Sequence, residues 1–339
     1  MTRVDDAAFH VAARQIERCR RPLLLSHTKP DGDAVGALQA MNRMLAGRGA
    51  RPVTVVFDPL PERYTFLTEP APPLRFDAAL WERQSDGMDG VLVLDTCSYS
   101  QLEPIAAWLR ATRLPKIVVD HHATRDDLGA LELIDETAAA TCLLLDEWRR
   151  AAGWPLTPAI AEALFVGVAA DTGWFRHANT DARALQSAVD LTAAGADPHS
   201  IFERLFHRES QARFRLRAAA TGRVELSAGA RLAVLTLPAS LFADCGATLA
   251  DTEDLVNEPL RIASVVVSAV LVEQGDGVIR VGLRSKEPVA ADAPDIDVSA
   301  IAASLGGGGH RRAAGARMTG TLDGAAAALT GRLETLLPP

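Results

Sequence analysis

The sequence predicts an α/β protein: an N-terminal, mostly parallel sheet flanked by helices, a helical linker, and a smaller C-terminal α/β domain. Three observations lead there. Short apolar runs in the first half each end on an acidic or histidine-bearing motif. Strand and helix signals alternate over that half, as in βαβ units. Strand signals then vanish near residue 180 and return only after about residue 222.

Leu23-Leu24-Leu25 opens the series and runs into Ser26-His27-Thr28-Lys29-Pro30-Asp31-Gly32-Asp33. The Ala-, Leu- and Met-rich stretch from Asp33 to Arg48 has helical spacing. Arg51 to Phe57 is a second strand, followed by a loop carrying Pro59, Pro61, Pro70, Pro72 and Pro73. Val91–Leu94 leads into Asp95, and Ile117–Val119 into Asp120-His121-His122. Ala138 to Ala152 and Pro158 to Leu164 read as helices. Leu164 to Ala170 reads as one more buried strand, ending on Asp171-Thr172-Gly173. Helices follow at 182–194, 198–206 and 209–217, then strands at 231–237, 262–273 and 278–284. Gln274-Gly275-Asp276-Gly277 has the composition of a hairpin turn. The domains expected are 1–195, a linker over 196–221, and 222–339.

With 339 residues, 48% apolar and 23% charged, the chain has the composition of a soluble globular protein with room for two cores. No apolar stretch approaches the roughly 20 residues of a membrane helix. The acidic start Met1-Thr2-Arg3-Val4-Asp5-Asp6 lacks the layout of a secretory signal. Cys19, Cys97, Cys142 and Cys245 are scattered without zinc spacing, which reads as free thiols in a cytoplasmic protein. A formal charge of −8 argues against tracking long nucleic acid, duplex included. It leaves small phosphate substrates open, since bound cations reverse the local field. Arg280, Arg284, Lys286, Arg311, Arg312 and Arg317 gather in the last quarter.

Each motif alone has an ordinary structural reading: Asp-Gly-Asp as a turn, Asp95 or Asp171 as a helix cap. Together, at the edge of one sheet, these carboxylates and imidazoles would repel and be costly to bury without a cation among them. The donors are oxygen and imidazole without thiolate, which favours Mn²⁺, with Mg²⁺ also accepted, over structural zinc. Two ions roughly 3.5–4 Å apart would bring a shared water toward neutral pKa and give a hydroxide for in-line attack on phosphorus. Phosphoester hydrolysis is the chemistry that follows. Gly306-Gly307-Gly308-Gly309-His310 adds a backbone able to approach an anion, close in character to the Arg284-Ser285-Lys286 turn. No Lys-Ser or Lys-Thr follows these glycines, so this is not a P-loop. The substrate-binding candidates are therefore Arg284, Ser285, Lys286, Gly307, Gly308, Gly309 and His310.

His27-x3-Asp31-x-Asp33, Asp95-Thr96, Asp120-His121-His122, Asp171-Thr172-Gly173 and GGGGH-x2-AAG resemble the DHH phosphoesterases with a DHH-associated C-terminal domain. The resemblance spans about residues 20 to 320, and the length is similar to that of the nanoRNase A branch. It implies that His27 and Asp31 hold one metal, that Asp33, His121 and Asp171 hold the other, and that Asp95 bridges them. It places His122 at the scissile phosphate, with Asp120 orienting the adjacent imidazole, so the catalytic set is Asp95, Asp120 and His122. It brings Arg284 and His310 to substrate phosphate from the opposite domain. It implies hydrolysis of short RNA to mononucleotides, and of adenosine 3′,5′-bisphosphate to AMP. A soluble cyclic or linear dinucleotide phosphodiesterase is the alternative activity, and a metal- or nucleotide-binding regulator the non-enzymatic one. A homodimer is left open. Cys97 stands where relatives have a small residue, marking the enzyme as a candidate for thiol sensitivity.

Overall fold

A computed structural model describes residues 3–123, 125–252, 254–288 and 295–337. The chain divides into two compact units, Met1–Arg208 and Glu209–Pro339.

The first unit contains α1 (Asp6–Ile16), β1 (Pro22–Leu25), α2 (Gly32–Ala46), β2 (Val53–Val56), β3 (Leu74–Arg75), α3 (Trp81–Ser85) and β4 (Gly90–Leu94). It continues with α4 (Ala106–Ala111), β5 (Lys116–Asp120), β6 (Leu131–Ile134), α5 (Thr141–Ala151), α6 (Pro158–Asp171), α7 (Ala182–Ala193) and α8 (Pro198–Phe206). Its six strands run in the order β3-β2-β1-β4-β5-β6, and every pair is parallel. Apolar side chains fill both faces. Leu24, Leu92, Leu94, Ile117 and Val119 join α1, α2, α5 and α6 on one side. Leu23, Leu25, Val91, Val93 and Val118 pack against Trp81, Leu102 and Leu109 on the other. Fully burying each such side chain stabilises the fold by roughly 1.5–3 kcal/mol. The strand order reverses direction between β1 and β4, and ligands of such sheets sit at the carboxyl ends of the strands flanking that point.

The run 164–170, expected as a strand, is helical. It forms the second half of α6, which starts at a Thr157 cap with Pro158 in its first turn and runs unbroken to Asp171. Periodicity is silent here because α6 is wedged among α2, α5 and α7 and is apolar on nearly every side. Asp171 thus arrives from a helix end, not from a strand.

The second unit contains α9 (Gln211–Thr221), β7 (Val224–Ser227), β8 (Leu232–Leu237), α10 (Ala239–Cys245), β9 (Val267–Glu273) and β10 (Val278–Ser285). It ends with α11 (Val298–Ser304), β11 (Gly308–His310), β12 (Ala313–Thr319) and α12 (Leu322–Glu334). Its sheet has the order β11-β12-β10-β9-β8-β7 and is antiparallel except for the β8–β9 pair. Residues 196–221, expected as a linker, fall on both sides of the division: α8 lies in the first unit and α9 in the second.

Candidate metal centre

His27 follows β1, Asp95 follows β4, and Asp120 closes β5 ahead of His121 and His122. Asp31 caps α2, accepting from the N–H groups of Asp33 and Ala34 at 3.1 Å each. Asp33 lies in the first turn of that helix and Asp171 in the last turn of α6. The structure brings these side chains together. His27, Asp31 and Asp95 form one group whose donor atoms lie within 4.8 Å of one another, and Asp33, His121 and Asp171 form a second. Asp95 also groups with His121 and His122. His27 Nε2 is 3.4 Å from Asp95 Oδ2 and 3.9 Å from Asp31 Oδ1. His121 Nε2 is 3.6 Å from Asp95 Oδ1 and 3.1 Å from Asp171 Oδ2.

The ring orientations suit a cation. Nδ1 of His27 lies 2.7 Å from the Thr28 carbonyl and Nδ1 of His121 lies 3.1 Å from that of Ala138. Each carbonyl can only accept, so each Nδ1 carries a proton, and each Nε2 is the ring atom that faces the carboxylates, open to a cation or, without one, to a second proton. His121 Nε2 is buried without a hydrogen bond of good geometry, although an Asp171 oxygen is near. Asp33 and Asp95 are buried carboxyls. Burial, reinforced by Asp171, pushes Asp33 up to about 6. Burial, reinforced by Asp33, Asp31 and Asp171, pushes Asp95 well above the usual carboxylate range. Burial disfavours charge on His121, but the Asp171, Asp33 and Asp95 carboxylates outweigh it and lift the imidazole to about 10. Like charges crowded in this way, around imidazole Nε2 atoms aimed inward that a metal could claim from the proton, fit one or more divalent cations.

His122 is placed differently. Its ring is half-exposed, and Nδ1 lies 2.7 Å from Asp120 Oδ1, which also accepts the backbone N–H groups of His121 and His122. Asp120 therefore orients His122, whereas the Ala138 carbonyl orients His121. Asp120 Oδ2 is buried without a partner.

Residues 23–168 match the DHH family, N-terminal domain, and residues 230–335 match the DHHA1 domain. Over 320 residues the chain is 30% identical to the bifunctional oligoribonuclease and PAP phosphatase NrnA of Thermus thermophilus, covering 92% of this chain and 89% of that relative. The chain belongs to the DHH family. A solved exopolyphosphatase-related protein from Bacteroides fragilis shares the fold, with a TM-score of 0.89 at 22% identity over 99% of this chain and 98% of that one. The exonuclease RecJ, solved bound to manganese, shares it more distantly: TM-score 0.56, 18% identity, 98% of this chain and 94% of that one.

In this DHH-family chain the second-unit candidates separate. Ser285 is buried and donates its hydroxyl to the Ile296 carbonyl at 2.8 Å. Lys286 Nζ donates to the carbonyls of Ile262, at 2.6 Å, and Ala263. Both donors are thus engaged in holding the strand end. Arg284 pairs in register with Ala313, and Ala313 with His310. Gly282, Gly315 and Gly308 form a glycine row in the same way. Only the backbone position of His310 is described.

The glycine run is not a loose loop. Gly306 and Gly307 donate their N–H groups to Ala303 and Ala302 and so end α11, while Gly308 and Gly309 enter β11. A Cβ at Gly309, where φ is +144°, would lie 2.5 Å from the Ala313 carbonyl oxygen, so only glycine fits there. Cys97 is buried, with its thiol 3.3 Å from the Asp126 carbonyl; burial, helped by Glu132 and Asp120, pushes it up to about 11. That thiol is shielded and protonated, contrary to the sensitivity expected of it.

Several residues of the site carry no sequence signal. The N–H groups of Thr141 and Cys142, at the start of α5, donate to Asp33 Oδ2 and Oδ1 at 2.6 and 2.9 Å. Thr141 Oγ1 donates to Asp95 Oδ1 at 2.9 Å. The partners lie 108, 109 and 46 positions apart, beyond any local pattern.

Proposed function

We propose that this chain is a two-metal phosphoesterase that hydrolyses short oligoribonucleotides to mononucleotides and adenosine 3′,5′-bisphosphate to AMP. The Asp95-centred set of inward-facing carboxylates and imidazole Nε2 atoms carries this reading. The name of the Thermus thermophilus relative supports the substrate class.

His27 and Asp31 would hold one ion, Asp33, His121 and Asp171 the other, and Asp95 both. Mn²⁺ suits the donors best, and the manganese-bound RecJ structure is in keeping with it. When bound, such ions lower the pKa of water and neutralise charge on phosphate. Asp120 holds a proton on His122 Nδ1, which leaves Nε2 facing outward to carry a proton to the departing nucleotide oxygen. With one water consumed per bond, the RNA diester gives a phosphate monoester on one fragment and a free hydroxyl on the other, and adenosine 3′,5′-bisphosphate gives AMP and inorganic phosphate. Arg284 would grip a substrate phosphate with its fork of donors, beside the glycine row of Gly282, Gly315 and Gly308, with Gly307, Gly309 and His310 adjoining. None of the described helices is long and apolar enough to cross a membrane. The free thiols accord with a cytoplasmic enzyme.

The test compares rates on RNA of about two to five nucleotides, a 25-mer, adenosine 3′,5′-bisphosphate and a linear dinucleotide, with Mn²⁺ supplied. An acidic chain lacking a long basic track should favour the short RNAs per end. Absence of metal-dependent hydrolysis of all four would overturn the proposal.

A further inference from the structure

Asp95 has an unusual backbone. Its φ is +62°, in the left-handed region that residues with a side chain avoid, and it is 1% exposed. Two bonds hold it there. Its N–H continues the β4–β5 ladder to the Val119 carbonyl at 2.9 Å, and its Oδ1 accepts the Thr141 hydroxyl. Thr141 is itself completely buried, and it begins α5 without a side-chain cap from Ala140. Asp33 acts as that cap across space, taking the first two free N–H groups of the helix. One helical turn therefore fixes two carboxylates at once.

We infer that Thr141 is a positioning residue for the metal centre. Its hydroxyl occupies one lone pair of Asp95 Oδ1 and sets the carboxylate rotation, so that the remaining lone pairs face His27 on one side and His121 on the other. This inference rests on the metal reading proposed above. A hydroxyl serving only to satisfy the helix start would affect fold stability and leave the metals alone.

The experiment measures Mn²⁺ binding by calorimetry, and the electron paramagnetic resonance signal of the loaded protein, for wild type, Thr141→Val, Thr141→Ser and Asp95→Ala. Valine keeps the shape and removes the donor; serine keeps the donor. Thr141→Val should weaken Mn²⁺ binding by about tenfold or more and alter the signal of the coupled ions, and Thr141→Ser should restore both to near wild type. Far-UV circular dichroism and thermal melts of the metal-free proteins report whether the fold is intact. If Thr141→Val lowers the melting temperature yet binds Mn²⁺ like wild type, the inference is wrong. It is equally wrong if Thr141→Ser binds as weakly as Thr141→Val. A wild type that binds Mn²⁺ no better than Asp95→Ala refutes the underlying metal reading instead.

Discussion

A methyl group on Gly167 would stand 2.5 Å from Asp33 Oδ1 and 2.2 Å from Cys142 Sγ. Helix α6 thus closes the back of the pocket in which the start of α5 holds the Asp33 carboxylate. Alanine in an open helical site stabilises by up to about 1 kcal/mol over glycine. Here Gly167→Ala should instead destabilise, by about 1–3 kcal/mol, because Asp33 and Cys142 must move. Denaturant unfolding gives the sign directly, and a stabilised variant would refute the close approach.

His122 and Asp120 should act in turnover without holding the ions alone. His122→Ala should lower kcat by about 10²–10⁴-fold while metal content stays near wild type. Asp120→Asn, which disturbs the orientation of His122, should lower it by about 10–100-fold. Metal analysis of the purified variants beside their kcat separates these effects from loss of the centre.

The motifs of the candidate site are legible because each is local: His27, Asp31 and Asp33 share one loop and helix start, and His121 and His122 share one strand end. Thr141, Gly167 and the Ala138 carbonyl are not, since they meet the site only through tertiary contact. Leu164–Ala170 misled for a related reason. A helix surrounded by other helices loses the polar face that would reveal its period. The parallel sheet is readable because its central strands β1, β4 and β5 are buried on both faces and end on the motifs of the candidate site. The glycines near 308 showed that backbone must approach something closely, but not that the neighbour is β12.

Arg284 should matter to substrate and not to metal. Burial lowers its guanidinium pKa, opposed by Asp254, so the group sits in a partly desolvated place where a phosphate contact is strong. Arg284→Ala should raise KM by about 10–100-fold with metal affinity unchanged. Loss of metal with an unchanged KM would contradict the assignment.

Asp135 tests the scaffold beneath the site. It is buried, which alone would raise its pKa, but the hydroxyl and N–H of Thr137 together with Arg183 hold its carboxyl below the usual range. A depressed carboxyl contributes stability that is full above its unfolded value of about 3.9 and is lost as pH falls through the folded value. The stability gap between wild type and Asp135→Asn should therefore be wide at pH 7 and shrink below about pH 4. A gap that stays constant on acidification would show that Asp135 does not act through its charge.

In the proposed mechanism Asp95 unites two ion sites into one hydrolytic centre. Turnover of a short RNA by folded Asp95→Ala protein, supplied with saturating Mn²⁺, measures it most directly. Turnover should fall by more than about a thousandfold, since the charge stabilisation at the reacting phosphate goes with the shared carboxylate. Turnover at the wild-type rate would contradict it.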